Sequence, residues 1–279
     1  MAHTTLVDAK TVHDHLDDPS WVIVDCRHTL ADFSLGRKLY EEAHIPGAFF
    51  ADVEEDLAGT HTGSNGRHPL PDPMVFAAYI EQIGVNDKTQ IVAYDAGGDM
   101  FAARLWFLCQ WIGHQAAAVL DGGLAAWTAA GYELTAVPSA SLHSGNVHVK
   151  LNNELVVDAA YVRDRLTRGM HLVDARAADR FRGENETIDP VAGHIPGARN
   201  RPFKENFDST LHFRSPDDLR RAFAIFGEPS HVVHQCGSGV SAAANMLAME
   251  VAGLHGSRLY AGSWSEWIAD PSRPVTTTE

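Results

Sequence analysis

His44-Ile45-Pro46-Gly47-Ala48 returns unchanged as His194-Ile195-Pro196-Gly197-Ala198, 150 residues further along the chain. Two neighbours return with it. Val24-Asp25-Cys26-Arg27 reappears as Val173-Asp174-Ala175-Arg176 at an offset of 149, and Gly122-Gly123-Leu124-Ala125-Ala126-Trp127 as Gly262-Ser263-Trp264-Ser265-Glu266-Trp267 at 140. Three matches in one order, at nearly one offset, make the chain two copies of one unit. Its 279 residues suit that division, because about 100–200 residues suffice for a domain with its own core. One domain is expected over residues 1–140, a linker over 141–154 and a second domain over 155–279.

Within each copy, short apolar runs alternate with longer helical patterns. Residues 21–25, 91–94, 171–174 and 231–235 read as buried strands, and 72–83, 100–112, 216–226 and 242–252 as helices. Alternating strands and helices predict an α/β fold, two tandem domains each with a parallel sheet flanked by helices on both faces. Sites in such sheets lie beyond the carboxyl ends of the strands. The spacing from His44 to Asp95 exceeds that from His194 to Cys236 by nine residues. The insertion falls within 58–71, a stretch too rich in glycine and proline for a helix or central strand. It reads either as a solvated connector or as an arm that reaches the active site from the other domain.

Composition narrows the function classes. Hydrophobic residues are 45% and charged residues 21%, which excludes a mostly disordered chain. No apolar run approaches the ~18 residues of a membrane span. With 22 basic against 36 acidic residues, the net charge of −14 argues against nucleic acid or an anionic membrane as partner. A small anionic substrate then needs a dedicated cationic pocket. The start, Met1-Ala2-His3-Thr4-Thr5, shows no basic and apolar leader, so the cytoplasm is the expected compartment. The His and acidic residues show neither His-Glu-x-x-His nor another ligand spacing, so no metal is expected.

Three cysteines, without a Cys-x-x-Cys pair, are expected as free thiols. Cys26 and Cys109 sit in apolar runs and read as small buried residues. Cys236 differs. Val232-Val233-His234-Gln235-Cys236-Gly237-Ser238-Gly239-Val240-Ser241 is a strand running into a glycine-spaced loop that opens a small-residue helix. Such a turn gathers backbone N–H groups at the positive end of a helix dipole, which favours an anion, and a thiolate on Cys236 is one. Gly237 and Gly239 suit close backbone approach. Aligning the strand ends places Asp95 opposite Cys236, so one copy carries the nucleophile and the other does not. A Cys-x5-Arg phosphatase needs an arginine six positions after the cysteine, and Ala242 stands there. Sulfur transfer needs only the amide cradle.

These motifs resemble the tandem-domain rhodanese superfamily of sulfurtransferases over nearly the whole chain. The loop Cys236-Gly237-Ser238-Gly239-Val240-Ser241 looks like that of the 3-mercaptopyruvate type, with serine in place of its usual last threonine. Thiosulfate-type members usually carry Arg and Lys where this chain has Gly237 and Ser238. The resemblance implies that Cys236 attacks the donor sulfur and carries a persulfide. Pyruvate leaves, and the outer sulfur passes to cyanide or to a thiol such as thioredoxin or glutathione. No cofactor is implied. Ser238 and Ser241 are candidate hydrogen-bond donors within the loop.

The same resemblance assigns the substrate carboxylate to Arg180, with Arg182 as a second contact or a surface residue. A further arginine, often about nine positions on in mercaptopyruvate-type relatives, is absent from Glu184-Asn185-Glu186-Thr187-Ile188-Asp189-Pro190. Arg182, Arg199 and Arg201 are the candidate substitutes. His68 matches the histidine that the first domain lends to the cleft, where it can exchange protons near neutral pH. The matching carboxylate is Glu54 by direct count or Asp52 by a gapped one. His44 and His194 are expected to organise loops, since both copies have them. A thiosulfate:cyanide sulfurtransferase and a persulfide-carrier module serving a partner protein are the alternatives.

Overall fold

The computed structural model describes residues 2–141, 143–166 and 168–277. Met1, Leu142, Thr167, Thr278 and Glu279, which the domain and linker ranges above include, lie outside them. The chain forms two compact units. Unit 1 comprises the residues up to Gly59, Leu70–Asn152 and Phe207–Phe213; unit 2 comprises Thr60–Pro69, Asn153–Asn206 and the residues from Arg214 onward. Each unit therefore includes a short segment from the other copy of the repeat.

Unit 1 contains strands β1 (Leu6–Val7), β2 (Trp21–Asp25), β3 (Phe49–Phe50), β4 (Gln90–Tyr94) and β5 (Ala117–Leu120). Its helices are α1 (Ala9–Asp14), α2 (Leu35–Glu42), α3 (Pro73–Gln82), α4 (Phe101–Ile112) and α5 (Gly123–Ala129). The strands pair in parallel in the order β1-β5-β4-β2-β3. The central strands are buried on both faces, which is why they read as unbroken apolar runs. Val12, Ile23, Ile45, Val92, Tyr94 and Trp127 pack together on one face. Helix starts are set locally: Asp8 and Asp72 accept backbone N–H groups, and Pro73 occupies the first turn. Gly113, at φ +89°, ends α4. Residues 143–152 of the expected linker belong to this unit, with Gly145 N–H donating to the Glu81 carbonyl and Lys150 N–H to that of Ile112, whereas residues 153–154 belong to unit 2.

Unit 2 repeats the plan with β6 (Val156–Val157), β7 (His171–Asp174), β8 (Arg199–Asn200), β9 (Val232–Gln235) and β10 (Arg258–Tyr260). Helices α6 (Ala159–Arg165), α7 (Ala178–Phe181), α8 (Pro216–Phe223), α9 (Ser241–Val251) and α10 (Ser263–Trp267) accompany them. The parallel order β6-β10-β9-β7-β8 is that of unit 1. The helix expected over 216–226 is α8 followed by a 3-10 turn, Ala224–Phe226, that Gly227 closes. Trp264 and Trp267 are fully buried and donate their indole N–H groups to Val191 and Pro274 carbonyls.

The repeated motifs hold equivalent corners. Asp25 takes a forked set of bonds from Arg27, and Arg27 reaches the Ala43 carbonyl at 2.6 Å. Asp174 and Arg176 do the same, with Gly193 as the carbonyl at 2.8 Å. Breaking such a buried pair costs about 3–5 kcal/mol, because it strands a charge. His44 and His194 bond Nδ1 to the carbonyls of Tyr40 and Phe181, and each pairs its backbone with a distant threonine, Thr135 or Thr276. No helix among the described residues is long and apolar enough to cross a membrane.

Candidate active site

Unit 2 places Cys236 at the end of β9, where the chain leaves the sheet to enter α9. The thiol is 2% exposed and its Sγ accepts the Gly239 N–H at 3.1 Å. Gly239 has φ +81°, and a Cβ there would collide with the Ala261 carbonyl oxygen, so the loop needs glycine at this position. The loop is pinned to α10 through Trp264 N–H to the Cys236 carbonyl at 3.0 Å and Ser265 N–H to the Gly237 carbonyl at 2.9 Å. Val240 stands at the N-cap of α9 and Ser241 is its first residue, both buried.

Ser263 belongs to this site but was not singled out from the sequence. Its Oγ accepts the Cys236 N–H at 3.1 Å and donates to the Tyr260 carbonyl at 2.9 Å. It does so at φ +55°, in the left-handed region that a residue with a Cβ rarely occupies. The repeat held a signal, since the matched residue in unit 1 is Gly123, at φ +56°.

The inserted segment supplies the rest. Gly66, at φ +84°, stands where a Cβ would be 2.7 Å from the Gly262 carbonyl oxygen. The Arg67 N–H donates to Ser265 Oγ at 3.0 Å. His68 is 3% exposed, and its Nδ1 lies 2.6 Å from Ser238 Oγ, so His68 and Ser238 form one buried pair.

Arginines and carboxylates cluster beside the loop. Arg180 makes a forked contact with Glu186 at 2.9–3.2 Å and donates Nη2 to Asp189 Oδ2 at 3.0 Å. Arg67 donates Nη1 to the other oxygen, Asp189 Oδ1. Burial pushes the Asp189 carboxyl above its usual range, against the pull of Arg67 and Arg180. Burial also opposes ionisation of Glu186, but the bonds from Arg180 and from the Asp189 and Ile188 N–H groups outweigh it and hold the carboxyl below its usual range. A Cβ on Gly237 would come 2.9 Å from Arg67 Nη2 and 3.7 Å from Arg180 Nη2. Both guanidinium groups therefore face the residue after the cysteine.

The other sequence candidates make the following contacts within their own units. Arg182 pairs with Glu184 at 2.7 Å on the surface. Arg199 bonds the Ile225 carbonyl, and Arg201 stacks over Phe223 at 4.2 Å while pairing with Glu205. Glu54 and Asp52 belong to unit 1, where Glu54 Oε1 is 3.8 Å from His28 Nε2 and Asp52 Oδ1 accepts the Glu54 N–H at 2.9 Å. Cys26 and Cys109 are fully buried, and desolvation raises both thiols far above the usual cysteine range. No group of three or more His, Cys, Asp or Glu among the described residues is placed to hold a metal ion.

A family model described as "Rhodanese-like domain" matches residues 8–130 and 158–270. The chain is 47% identical to a Pseudomonas aeruginosa protein named "Probable 3-mercaptopyruvate sulfurtransferase", over 99% of each chain. It is 31% identical to the thiosulfate sulfurtransferase of Rattus norvegicus, over 93% of this chain and 89% of that one. Among solved structures, the 3-mercaptopyruvate enzyme of Escherichia coli superposes with a TM-score of 0.81 at 31% identity, covering 94% of this chain and 99% of the other.

Proposed function

The chain belongs to the family of rhodanese-like domains and is a sulfurtransferase, and from that premise we propose that unit 2 takes sulfur from 3-mercaptopyruvate onto Cys236. The observation that carries this reading is the placement of the loop: one thiol, a buried His68–Ser238 pair and two guanidinium groups adjoin the same six residues. In the first step the Cys236 thiolate attacks the donor sulfur, a new S–S bond forms, and the C–S electrons leave on the enolate of pyruvate. The enolate must gain one proton. Ser238, bonded to His68, passes it, and His68 is recharged from solvent. Arg180, whose Nε–Nη2 fork is taken by Glu186 and Asp189, presents its Nη1 end toward the space over Gly237 and there holds the carboxylate of the keto acid. Gly237, Gly239, Val240 and Ser241 give the loop its shape, and the Gly239 N–H holds the sulfur that departs as thiolate in the second step. Arg182 carries no step in this scheme, and Glu54 or Asp52 is the candidate carboxylate.

In the second step an acceptor thiolate, such as thioredoxin or glutathione, or cyanide, attacks the outer sulfur and releases the Cys236 thiolate. The cytoplasm, where thiols stay reduced, suits such an acceptor. Thiosulfate is the second donor reading, favoured by the relatives that bear that name.

Reduced protein incubated separately with 3-mercaptopyruvate and thiosulfate tests the reading. A gain of one sulfur at Cys236 by mass spectrometry, with stoichiometric pyruvate, is expected from the first. Uptake mainly from thiosulfate, with release of sulfite, selects the second donor, and uptake from neither overturns the enzyme reading.

A further inference from the structure

Ser263 opens α10 against the cysteine loop, and the first copy of the repeat shows what its side chain adds. In both units the loop after the strand is docked on the next helix by the same two backbone bonds. Leu124 and Ala125 donate to the Asp95 and Ala96 carbonyls at 2.9 and 3.2 Å, and Trp264 and Ser265 donate to those of Cys236 and Gly237 at 3.0 and 2.9 Å. The residue before each pair has the same left-handed backbone, φ +56° at Gly123 and +55° at Ser263. Docking the loop therefore needs no side chain at this position. In unit 1 the place is hostile to one, since a Cβ at 123 would lie 2.6 Å from both the Asp95 carbonyl oxygen and the Gly97 nitrogen. Unit 2 nevertheless holds a fully buried serine there, against the backbone preference and with a loop that admits its Cβ.

We propose that Ser263 is the positioning residue of the nucleophile. The paired register of β10 with β9 ends at Leu259 and His234, two residues short of Cys236, so the ladder itself does not fix the strand where the thiol leaves it. The Ser263 hydroxyl takes over. Its Oγ accepts the Cys236 N–H at 3.1 Å, and its own proton goes to the Tyr260 carbonyl at 2.9 Å. With that proton committed, the hydroxyl acts on the sulfur only through the backbone. The other end of the sulfur's contact rests on the same turn: Gly239, whose N–H reaches Sγ at 3.1 Å, lies so near Ala261 that a Cβ would be 2.4 Å from its carbonyl oxygen. Residues 260–263 thus fix both the backbone that carries the sulfur and the N–H that meets it. A displacement of one against the other by ~1 Å is enough to slow a reaction about 10²-fold. The inference rests on the sulfurtransferase reading of Cys236 and gives the left-handed backbone at 263 a chemical use.

Ser263→Ala and Ser263→Gly in the full-length chain separate the hydroxyl from the backbone strain. Both remove the acceptor, but only glycine adopts φ +55° without cost, so the glycine variant should have the higher denaturation midpoint of the two. In turnover with 3-mercaptopyruvate, kcat should fall at least about 10-fold in both variants while KM stays within about 2-fold of wild type. Alkylation of Cys236 by iodoacetamide at one fixed pH should slow by a similar factor in both. Rates that recover in Ser263→Gly along with its stability overturn the proposal, because the serine would then matter only through its backbone. So does a glycine variant that keeps both kcat and the alkylation rate within about 2-fold of wild type, a criterion that stands even if Ser263→Ala does not fold. Alkylation needs no sulfur donor, so a wild type that takes sulfur from neither donor would sink the sulfurtransferase reading and leave this comparison intact.

Discussion

The ends of β4 and β9 are the same structural place in two copies, and they have been put to opposite uses. In unit 2 the strand delivers a thiol; in unit 1 it delivers Asp95, whose carboxylate accepts the Gly97 N–H at 3.0 Å and the Ala102 N–H at 3.1 Å. Asp95 is thus an anion bound by the turn and helix start that follow it. The borrowed segments differ in the same sense. Unit 2 has Arg67 and His68 over its loop, whereas unit 1 has Leu211 against Gly98 and Phe213 bonded through its N–H to Asp121. Phe207 and Phe213 pack with Asp95, Gly98 and Gly122 around a cavity of about 10 Å³, room for no more than one water. A backbone that cradles an anion serves structure when the anion is its own carboxylate, here under Leu211, Phe207, Phe213 and the His212 imidazole beside Gly122. It serves chemistry when the anion is a nucleophile and the cover is polar.

The strongest attempt to break this contrast exchanges the anions. Cys236→Ser should abolish sulfur uptake and lower pyruvate release at least ~10³-fold, while Asp95→Asn should leave kcat within about 2-fold, both followed by pyruvate assay and intact mass. Activity lost equally in Asp95→Asn would make the first site more than structural. Next in size, Ser238→Ala and His68→Gln should each lower kcat about 10²-fold, and the double variant scarcely further, as expected for groups that pass one proton. Additive losses would separate their roles.

Arg180→Ala should raise KM for the keto acid about 10- to 100-fold, read from steady-state kinetics at matched enzyme folding. It also leaves Glu186 and Asp189 short of a partner, so a lowered denaturation midpoint should accompany it. The matched glycines give a smaller contrast. Gly239→Ala forces a Cβ onto the Ala261 carbonyl at φ +81° and should cost about 1–3 kcal/mol in denaturant unfolding. Gly98→Ala, at φ +61°, meets the Leu211 side chain instead, which can move, and should cost less.

The smallest effect concerns pH. His234 in β9 is fully buried and desolvation lowers it to about 3, whereas unit 1 has Ala93 in the matched place. The native state keeps His234 neutral while the unfolded chain takes a proton below about pH 6.5. Stability is therefore lost as pH falls from 6.5 toward 3, by at most about 1.4 kcal/mol per pH unit. Replacing His234 by Leu should flatten that slope in unfolding measured between pH 7 and 5, and an unchanged slope would locate the acid sensitivity elsewhere.

Much of the fold was legible because its signals are local. The central strands lie within a residue of their expected bounds, since burial on both faces writes a continuous apolar run. The two-residue strands Leu6–Val7, Phe49–Phe50, Val156–Val157 and Arg199–Asn200 escaped, because two residues carry no period and their pairing partners are distant in sequence. Ser263 escaped because its left-handed backbone is inherited from a glycine, while its hydroxyl is used 27 residues back along the chain.

The sequence by itself determined the duplication, the alternation of strand and helix, and the unequal strand ends with cysteine on one and aspartate on the other. These follow from repeated words and from periodicity, which the chain carries in its local order. Tertiary structure alone decided that residues 60–69 fold with unit 2, that His68 meets Ser238 across 170 positions, and that Arg67 and Arg180 share one buried carboxylate. Such meetings depend on where a glycine-hinged arm comes to rest against a distant turn, and spacing along the chain does not encode that distance in space.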